Sequence, residues 1–450
     1  MRTEKLSLLR VSENKRHLTT ESGEPFFWLG DTTWEIFHRL NAEEAAEFLD
    51  IRAEQGFNVI QAVALAEFEG LTVANAYGRF PLKKNGEGRY DPTLPDLEPG
   101  ADGNHYWAHV DRIVEMAADR NIRVGLLPTW GDKYNVMWGK GPDIFTVANA
   151  GEYGRWIGNR YRDCTNIIWI LGGDRPLKTR RHFEIIKAMA EGIREGDGGH
   201  HPITFHPSGE SSSSEYVHDE EWLDFNMIQT GHAKLNLECW KYVQADWGKL
   251  PVKPTLDGEP RYEDHPIGFN PVNGYFDAAD VRQAVWWSVL AGGMGTTYGH
   301  HAIWSMTRET DPYFPLVWRQ AAVRPGACQM RHLKDLMLSR PMLEREPCQE
   351  LVAVQHEGAN RIQAAKGKAY AFLYSPNGLK ISVSTDLIAG NRLIDGDRLI
   401  DGSRLKASWY NPRSGEMSEI GLFANEGTLC FQPPSSGRGE DWVLVLDGVE

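Results

Sequence analysis

The sequence has no excess of positive charge. Its 48 Lys and Arg residues are outnumbered by 62 Asp and Glu residues, which gives a formal net charge of −14. Proteins that bind nucleic acid usually carry a basic face, and anionic membranes attract clusters of Lys and Arg. The charge balance therefore argues against a nucleic-acid partner and against a membrane partner. The oligomeric state stays open.

Cysteine is scarce as well. The chain has 5 Cys among 450 residues, and they are too scattered to form a C-x-x-C pair. Closely spaced pairs of Cys mark zinc sites and disulfide frameworks. We therefore expect neither of these features, and we expect no cofactor.

Long apolar runs are also missing. No stretch approaches the roughly 18 apolar residues that a membrane-spanning helix needs. The first residues, MRTEKLSLLRVSENK, contain neither an apolar core nor a small-residue cleavage site of the kind found in signal peptides. On these grounds the sequence predicts a cytoplasmic protein.

Tryptophan, by contrast, is abundant. The chain has 16 Trp, and apolar residues make up 41% of it. Trp offers a flat apolar face with a polar edge, which suits the C–H faces and hydroxyl rims of sugar rings. A large Trp-rich core is the alternative interpretation of the same count.

Short apolar runs alternate with helical patterns over the first three quarters of the chain. Eight runs are predicted as strands, at about residues 26–31, 57–64, 122–128, 166–171, 202–206, 225–230, 252–256 and 295–298. Such alternation is typical of a parallel sheet with crossover helices. Counted as eight strand–helix units, it predicts an α/β fold, a (β/α)8 TIM barrel over residues 1–342 whose floor is closed by an N-terminal β-hairpin.

The pattern changes after Pro341. Residues 343–450 contain β-branched runs and Gly and Asn turns, with almost no helical periodicity. This region is predicted as a C-terminal antiparallel β-sandwich domain. A tandem repeat of Arg-Leu-Ile-Asp-Gly within it, at residues 392–405, has too few copies to build a β-helix, so we interpret it as a duplicated loop.

Polar and aromatic residues follow the predicted barrel strands. In a (β/α)8 barrel the active site lies at the C-terminal ends of the strands, so these residues are candidates for binding a substrate. They are Asp31, Trp34, Gln61, Trp130, Asp132, Arg175, His206, Gln229, Arg261, Tyr262, His300 and Trp304. Trp130 and Trp304 would stack on a sugar face, and Arg175 and Arg261 would bind a uronate carboxylate. Packing at the barrel rim, or pairing with a neighbouring acid, is the structural alternative.

Two carboxyl groups stand out at opposite sides of the predicted barrel mouth. Asp174 follows strand four and Glu259 follows strand seven, and each is preceded by glycine, at Gly172-Gly173 and at Gly258. Glycosidic bonds are hydrolysed by two such carboxyl groups that flank the bond, one protonated and one ionised. Asp257 is a rival for the second position, and a helix cap or an ion pair is the ordinary role of a strand-end carboxylate.

Histidines leave a metal-dependent hydrolase open as an alternative. His206, His232 and His300-His301 follow strands five, six and eight. Barrel metallohydrolases commonly place H-x-H after strand one, where this chain has Gly30-Asp31-Thr32. We therefore expect no metal site, and hydrogen bonds from neutral His to sugar hydroxyls instead.

Four motifs together resemble the apiosidase-like glycoside hydrolases. They are Gly30-Asp31-Thr32-Thr33-Trp34, Trp169-Ile170-Leu171-Gly172-Gly173-Asp174, Asp257-Gly258-Glu259-Pro260 and Trp409-Tyr410-Asn411-Pro412-Arg413-Ser414-Gly415. The resemblance covers nearly the whole chain, including a C-terminal β-sandwich of the type labelled collagen-binding. The family's characterised activity, release of the branched pentose apiose from pectic side chains, is what the resemblance implies for the substrate.

The resemblance also implies a mechanism and residue roles. It implies a retaining double displacement in which Asp174 is the acid/base, with a raised pKa, and Glu259 is the nucleophile. The wider clan has Asn-Glu at the acid/base position, whereas this chain has Gly173-Asp174. Two other functions stay open: a carbohydrate-binding protein without turnover on the same scaffold, and an adhesive protein that works through the C-terminal module.

Overall fold

Eight parallel strands form the main sheet. The computed structural model describes residues 6–449, apart from residue 102 and residues 389–393, 396–397 and 400–403. The main sheet has nine strands in all, because the short antiparallel strand Ser211–Ser212 joins its edge. The parallel strands are β1 (Trp28–Thr32), β2 (Val59–Val63), β3 (Arg123–Leu127), β4 (Ile167–Gly172), β5 (Ile203–His206), β6 (Asn226–Gln229), β7 (Thr255–Asp257) and β8 (Gly295–Tyr298).

The sheet curls into a nearly closed barrel. Its order is β5-β4-β3-β2-β1-β8-β7-β6, so the two outer parallel strands are neighbours in the chain. Across the remaining gap, the backbone N–H of Asp224 donates to the Ile203 carbonyl at 2.9 Å. The Thr204 hydroxyl donates to the Phe225 carbonyl at 2.6 Å. The strand ends that carry the candidate residues therefore surround one opening.

Helices follow seven of the eight strands. They are α1 (Ala42–Glu54), α2 (Tyr106–Ala118), α3 (Val147–Tyr161), α4 (Arg180–Asp197), α5 (Cys239–Trp247), α6 (Ala278–Leu290) and α7 (Pro325–Leu338). The helix start predicted at Asn41 has a physical basis. The Asn41 side chain accepts from the Glu44 backbone N–H at 2.9 Å, and the Glu44 side chain accepts from the Asn41 backbone N–H.

The prediction of eight strand–helix units is wrong between β5 and β6. Residues 207–224, all of which the structure describes, form the strand Ser211–Ser212 and one 3-10 turn, Ser213–Glu215. Serine side chains compete with helical hydrogen bonds, and here Ser212 and Ser214 donate instead to the buried carboxylate of Asp246, at 2.6 and 2.5 Å. This connection therefore stays short and close to the barrel wall.

The N-terminal segment covers the end of the barrel opposite the candidate residues. It forms three strands, Leu9–Val11, Leu18–Thr20 and Pro25–Phe26, rather than a simple hairpin. The side chains of Leu9, Leu18 and Phe26 belong to the cluster that fills the barrel interior. The predicted first strand is thus divided, because Phe26 lies in this small sheet and Trp28 begins β1.

The C-terminal part is built from antiparallel strands. A six-stranded sheet contains β9 (Glu346–Pro347), β10 (Gln363–Lys366), β11 (Tyr370–Ser375), β13 (Arg404–Tyr410), β14 (Met417–Ala424) and β16 (Trp442–Val449), and a ribbon pairs β12 (Ile381–Ser384) with β15 (Thr428–Phe431). Side chains from the sheet and the ribbon share one apolar core. Within the predicted duplicated loop, Ile394–Asp395 pairs with Arg398–Leu399 as a hairpin. The remainder of residues 392–403 lies outside the described residues.

The C-terminal sheet packs directly on helix α6 of the barrel. Trp286 stacks on Tyr374 with ring centroids 5.5 Å apart and planes 12° apart. Beside this stack, Arg282 donates to both carboxylate oxygens of Asp441, at 2.9 and 2.8 Å, and both residues are buried. The two parts of the chain therefore share a core and a buried ion pair.

We expect loss of this ion pair to destabilise the protein strongly. Arg282→Met keeps the apolar length of the side chain but removes the bidentate partner of the buried Asp441 carboxylate, which is then left with Arg413 and the Tyr374 hydroxyl. This should lower the free energy of unfolding by about 3 kcal/mol. Lys406→Met is the matched control, because Lys406 pairs with Glu419 at the surface and such pairs contribute at most about 1 kcal/mol. Urea denaturation measures both, and equal effects would contradict this account of the interface.

None of the helices among the described residues combines the length and the apolar character that a membrane crossing requires.

Candidate active site

A cavity of about 540 Å³ opens at the C-terminal ends of the barrel strands. Its wall is rich in aromatic rings, contributed by Trp34, Phe68, Trp130, Trp138, Tyr262, Phe269, Trp304 and Tyr313. Both Asp174 and Glu259 reach it. An aromatic wall with a few converging polar groups is what a small-molecule site requires.

Glu259 is held at the base of this cavity by two histidines. Its side chain is 7% exposed. His232 Nε2 lies 3.1 Å from Glu259 Oε1, and His206 Nε2 lies 2.8 Å from Glu259 Oε2. Each carboxylate oxygen therefore faces one imidazole nitrogen.

The backbone fixes which nitrogen of each imidazole carries the proton. His206 Nδ1 accepts the backbone N–H of Asp174 at 3.2 Å, and His232 Nδ1 accepts the backbone N–H of Tyr262 at 3.3 Å. A nitrogen that accepts must be unprotonated, so in a neutral ring the proton lies on Nε2. His232 therefore donates to Glu259 Oε1, and the protonated Nε2 of His206 lies against Oε2.

These donors keep Glu259 ionised. Burial alone would raise its pKa, but the N–H groups of His206 and His232 stabilise the carboxylate and lower its pKa to about 2. Glu259 is therefore negatively charged throughout the neutral pH range. An ionised, desolvated carboxylate facing an open cavity is suited to nucleophilic attack.

Asp174 sits on a strained turn directly after β4. Its φ is 55°, and the two preceding residues also have positive φ, 91° at Gly172 and 107° at Gly173. A Cβ at Gly172 would lie 2.4 Å from the His206 carbonyl oxygen, so glycine is required there by space as well as by conformation. Because of this turn, the backbone N–H of Asp174 donates to His206, and the carboxyl group of Asp174 reaches the cavity.

The pKa of Asp174 is shifted in the opposite direction to that of Glu259. Burial, and then the negative charge of Glu259, raise the pKa of Asp174 above the ordinary value. Trp138 Nε1 and Arg175 Nη1 donate to its Oδ2 at 2.9 and 3.1 Å and oppose this rise without reversing it. The raised pKa expected for Asp174 is thus found.

Several predicted substrate contacts do line the cavity. Apart from the two carboxyl groups, the structure places there Trp34, Trp130, Gln229, Tyr262 and Trp304. His206 lies directly beneath, against Glu259 and the Trp34 ring. Trp34 and Trp130 contact each other with ring centroids 5.1 Å apart, so they form one continuous aromatic surface.

Asp31 and Asp132 do not line the cavity, contrary to the prediction. Asp31 is fully buried and pairs with Arg52 at 2.5 Å. Asp132 is fully buried and pairs with Lys133 at 2.7 Å. Both carboxylates thus support the barrel wall, since a desolvated acid needs a partner of opposite charge.

Gln61 and His300 are likewise structural. Gln61 donates to the carbonyl of Gly258 at 2.8 Å and so supports the loop that carries Glu259. His300 caps the short helix His301–Trp304 and contacts Asp264 at 2.9 Å. Each makes a hydrogen bond inside the protein wall, and neither side chain lines the cavity.

The predicted uronate contacts are also wrong. Arg261 is buried and donates to Gln283 at 3.0 Å. Arg175 is buried beneath the Trp138 ring, 4.3 Å from its centroid, where it contacts Asp174 from below. Neither guanidinium lines the cavity, so these two residues offer no site for an acidic sugar.

Other cavity residues were missing from the sequence-based set. The structure adds Glu67, Trp138, His265 and Tyr313. They lie in loops beyond the strand ends, so strand-end counting alone does not find them. His232 and His301, which the sequence analysis named as strand-end histidines, also line the cavity.

Histidines cluster at one side of the cavity without forming a metal site. Ring centroids of His232 and His265 are 4.4 Å apart, and those of His265 and His301 are 4.4 Å apart. Burial lowers the pKa of His301 to about 3, so that ring is neutral. Across the part of the chain that the structure describes, no set of three or more His, Cys, Asp or Glu side chains is arranged to hold a metal ion.

The barrel and its cavity define a protein of the glycosidase class, and comparison with known proteins agrees. Residues 12–344 match the family model described as "Apiosidase-like, catalytic domain", and residues 347–447 match "Putative collagen-binding domain of a collagenase". The chain therefore belongs to the apiosidase-like family. No curated protein shows significant sequence similarity to it.

Solved structures of glycoside hydrolases resemble the whole chain. A glycoside hydrolase family 5 structure from Bacteroides vulgatus ATCC 8482 shares 32% identity over 98% of this chain and 93% of its own, with a TM-score of 0.86. A second structure, named a glycoside hydrolase, shares 31% identity over 98% of this chain and 97% of its own, with a TM-score of 0.84. These relatives support glycosidase activity for this chain.

Proposed function

We propose that this protein is a retaining glycoside hydrolase whose barrel is of the (β/α)8 type. The observation that carries the proposal is the pair of carboxyl groups with opposite protonation in one aromatic-lined cavity. Glu259 is ionised because two imidazole N–H groups face it, and the pKa of Asp174 is raised by burial and by Glu259. Hydrolysis of a glycosidic bond requires one carboxyl group in each state, and in a retaining enzyme the ionised one is the nucleophile.

The reaction would proceed by double displacement. Glu259 attacks the anomeric carbon while Asp174 donates its proton to the glycosidic oxygen, which leaves as an alcohol. The product is a glycosyl ester on Glu259. Ionised Asp174 then removes a proton from water, the water oxygen attacks the anomeric carbon, and the ester bond to Glu259 breaks. Both carboxyl groups return to their starting states.

His206 would position the two catalytic groups relative to each other. It accepts from the Asp174 backbone and faces Glu259 with its other nitrogen, so one rigid ring sets the position of both. A displacement of about 1 Å between reacting groups has large effects on rate. His206 is therefore assigned a positioning role and Glu259 the nucleophilic one.

The substrate we propose is a small carbohydrate, with pectin-derived oligosaccharides that contain apiose as the first candidates. Family membership supports the apiose specificity, and the aromatic wall supports a sugar. Trp34, Trp130 and Trp304 would contact the apolar faces of the ring, while Gln229 and Tyr262 would hydrogen-bond its hydroxyl groups. Carbohydrate binding without turnover is the second candidate, which the same aromatic wall would also serve.

We further propose that the chain divides at residues 342/343 and that the C-terminal part supports the barrel. The stack of Trp286 on Tyr374 and the buried pair of Arg282 with Asp441 favour this role over an independent binding module. Deletion of residues 343–450 should leave an insoluble or unfolded barrel. Soluble barrel that loses only ligand affinity would indicate a binding module instead.

The reaction class is tested with a panel of p-nitrophenyl glycosides and apiose-containing oligosaccharides. We expect wild type to release one sugar from this panel, and Asp174→Ala and Glu259→Ala to abolish release from the oligosaccharides. Activity that survives both substitutions would overturn the site. Binding of the oligosaccharides without hydrolysis would favour the second candidate function.

The pH dependence of kcat/KM should follow the two carboxyl groups. Activity requires Glu259 ionised and Asp174 protonated, so the rate should rise as pH increases through the low pKa of Glu259. It should fall as pH increases through the raised pKa of Asp174. His232→Phe removes one donor to Glu259, so the acid limb should move to higher pH while the alkaline limb stays. An unchanged acid limb would contradict the role of His232.

A further inference from the structure

A second cavity, of about 780 Å³, lies beside the first. It is bounded by the loop after β2, residues 67–76, and by the segment after β8, residues 304–314. The two cavities share four residues of their walls, namely Glu67, Phe68, Trp304 and Tyr313. A ligand longer than one sugar residue could therefore occupy both.

We propose that the second cavity is a subsite for an uncharged sugar residue of the same oligosaccharide, recognised by Asn75 and by the hydroxyl pair of Ser305 and Thr307. The inference rests on the proposed function, because it assumes that the bond cleaved lies between Asp174 and Glu259. It extends that function by naming the residues that bind the neighbouring sugar.

Asn75 supplies the most specific observation. Its Oδ1 accepts the backbone N–H groups of Tyr77 and Arg79, each at 3.0 Å, so its Nδ2 is the donor left over, and the residue lines the second cavity. Asn75 is only 5% exposed, yet Nδ2 has no hydrogen-bond partner within the protein. A buried unpaired amide is costly, and a ligand hydroxyl in the cavity would satisfy it.

The opposite side offers hydroxyl groups and aromatic rings. Ser305 and Thr307 are buried and their hydroxyl oxygens lie 2.5 Å apart, so the pair can both donate to and accept from a sugar. Trp304 and Phe314 line the cavity with ring centroids 6.2 Å apart. The neutral His301 ring stacks on Phe314 and supports it from the side of the first cavity.

Phe68 stands at the junction of the two cavities in a strained conformation. Its φ is 51°, which an aromatic residue adopts at an energetic cost, and its ring lies 6.1 Å from that of Trp304. Together with Tyr313, the two rings form the aromatic part of the shared wall. This position suits contact with both sugars of a ligand that crosses from one cavity to the other.

The cationic side chains that line the second cavity already have carboxylate partners, which favours an uncharged sugar. His38 and Arg39 pair with Glu35, and Arg308 pairs with Glu44. Glu69 in turn pairs with Lys140. Burial, and then the neighbouring carboxyl group of Asp174, raise the pKa of Glu67 well above the ordinary value, which disfavours a negative charge at this position. The lining also includes Glu309, whose negative charge would repel a uronate.

The test compares short and extended substrates with variants of the second cavity alone. Asn75→Asp keeps both accepted backbone bonds and removes the amide donor, and Thr307→Val removes the hydroxyl at nearly constant volume. On an oligosaccharide each should raise KM about tenfold, while kcat/KM for the p-nitrophenyl glycoside of the released sugar should change less than about twofold. Thr72→Val, in the same loop region but outside the cavity lining, is the matched control and should change neither.

A binding measurement distinguishes a failure of this inference from a failure of the proposed function. Glu259→Gln, titrated calorimetrically with neutral pectic oligosaccharides, should bind them, and adding Asn75→Asp or Thr307→Val should weaken binding about tenfold. This loss would support the subsite even if wild type hydrolyses none of the panel. Equal effects on short and extended substrates, no effect of either variant, or tighter binding of uronate oligosaccharides would each overturn the inference.

Discussion

Replacing Glu259 with Gln should reduce kcat/KM by about 10⁴-fold or more. The substitution keeps the size of the side chain and removes the negative charge that attacks the anomeric carbon. The amide oxygen can still accept from one of the two imidazole N–H groups, while the amide NH2 lies against the other ring. The loss should appear with every substrate, whatever its leaving group, because the nucleophile is needed in each case. Initial rates on the accepted glycoside measure it.

Asp257→Asn is the control for this substitution. Asp257 lies two residues before Glu259, but its Oδ2 accepts from Thr230 and Ser288 inside the barrel, at 2.8 and 3.2 Å. Burial raises the pKa of Asp257 to about 6, so a neutral amide is tolerable there. We expect this variant to keep most of the activity. A loss as large as that of Glu259→Gln would make Asp257 the nucleophile candidate.

Asp174→Asn should show a loss that depends on the leaving group. A sugar alcohol leaves only when its oxygen is protonated, so activity on oligosaccharides should fall by about 10²–10⁴-fold. A p-nitrophenolate leaves without a proton, so formation of the glycosyl-enzyme from that substrate should be nearly unaffected. Pre-steady-state release of p-nitrophenol measures this step directly.

The backbone conformation at Asp174 is one that Asn can also adopt, so the comparison is not disturbed by a change of fold. Its φ of 55° lies in the left-handed region, which Asn also adopts readily. The substitution should therefore leave the turn after β4 and the bond to His206 intact. Equal losses on the two kinds of substrate would show that Asp174 does not protonate the leaving group, and would remove the acid/base assignment.

Much of the barrel was predictable because buried parallel strands are continuous apolar runs in the sequence. Ile167–Gly172, with the sequence IIWILG, lies close to its predicted bounds. The missing helix between β5 and β6 was not predictable by counting, because the partner of Ser212 and Ser214 is Asp246, more than 30 residues away. Only the fold brings that carboxylate to the serines.

The candidate site was predictable where a residue directly follows a strand and its loop faces the barrel mouth. Trp130 and Gln229 meet this condition. Asp31 lies at a strand end too, but it points to Arg52 of α1, and the sequence does not say which side of the wall a strand-end residue faces. Glu67 and Tyr313 come from loops whose return to the cavity depends on tertiary packing.

The electrostatics of the site depend on the structure in the same way. That Glu259 is ionised follows from the N–H groups of two histidines, and the orientation of those groups follows from the backbone of Asp174 and Tyr262. A sequence shows the histidines but not these contacts. The ionised state of Glu259 therefore could not be derived from strand-end positions alone.

The stereochemistry of the first-formed product tests the central claim most directly. Proton NMR during the first minutes of hydrolysis distinguishes the two anomers of the released sugar before they equilibrate. Attack by Glu259 followed by attack of water inverts the anomeric carbon twice, so the account predicts net retention of configuration. Release of the inverted anomer would show that water attacks directly, and would contradict Glu259 as the nucleophile.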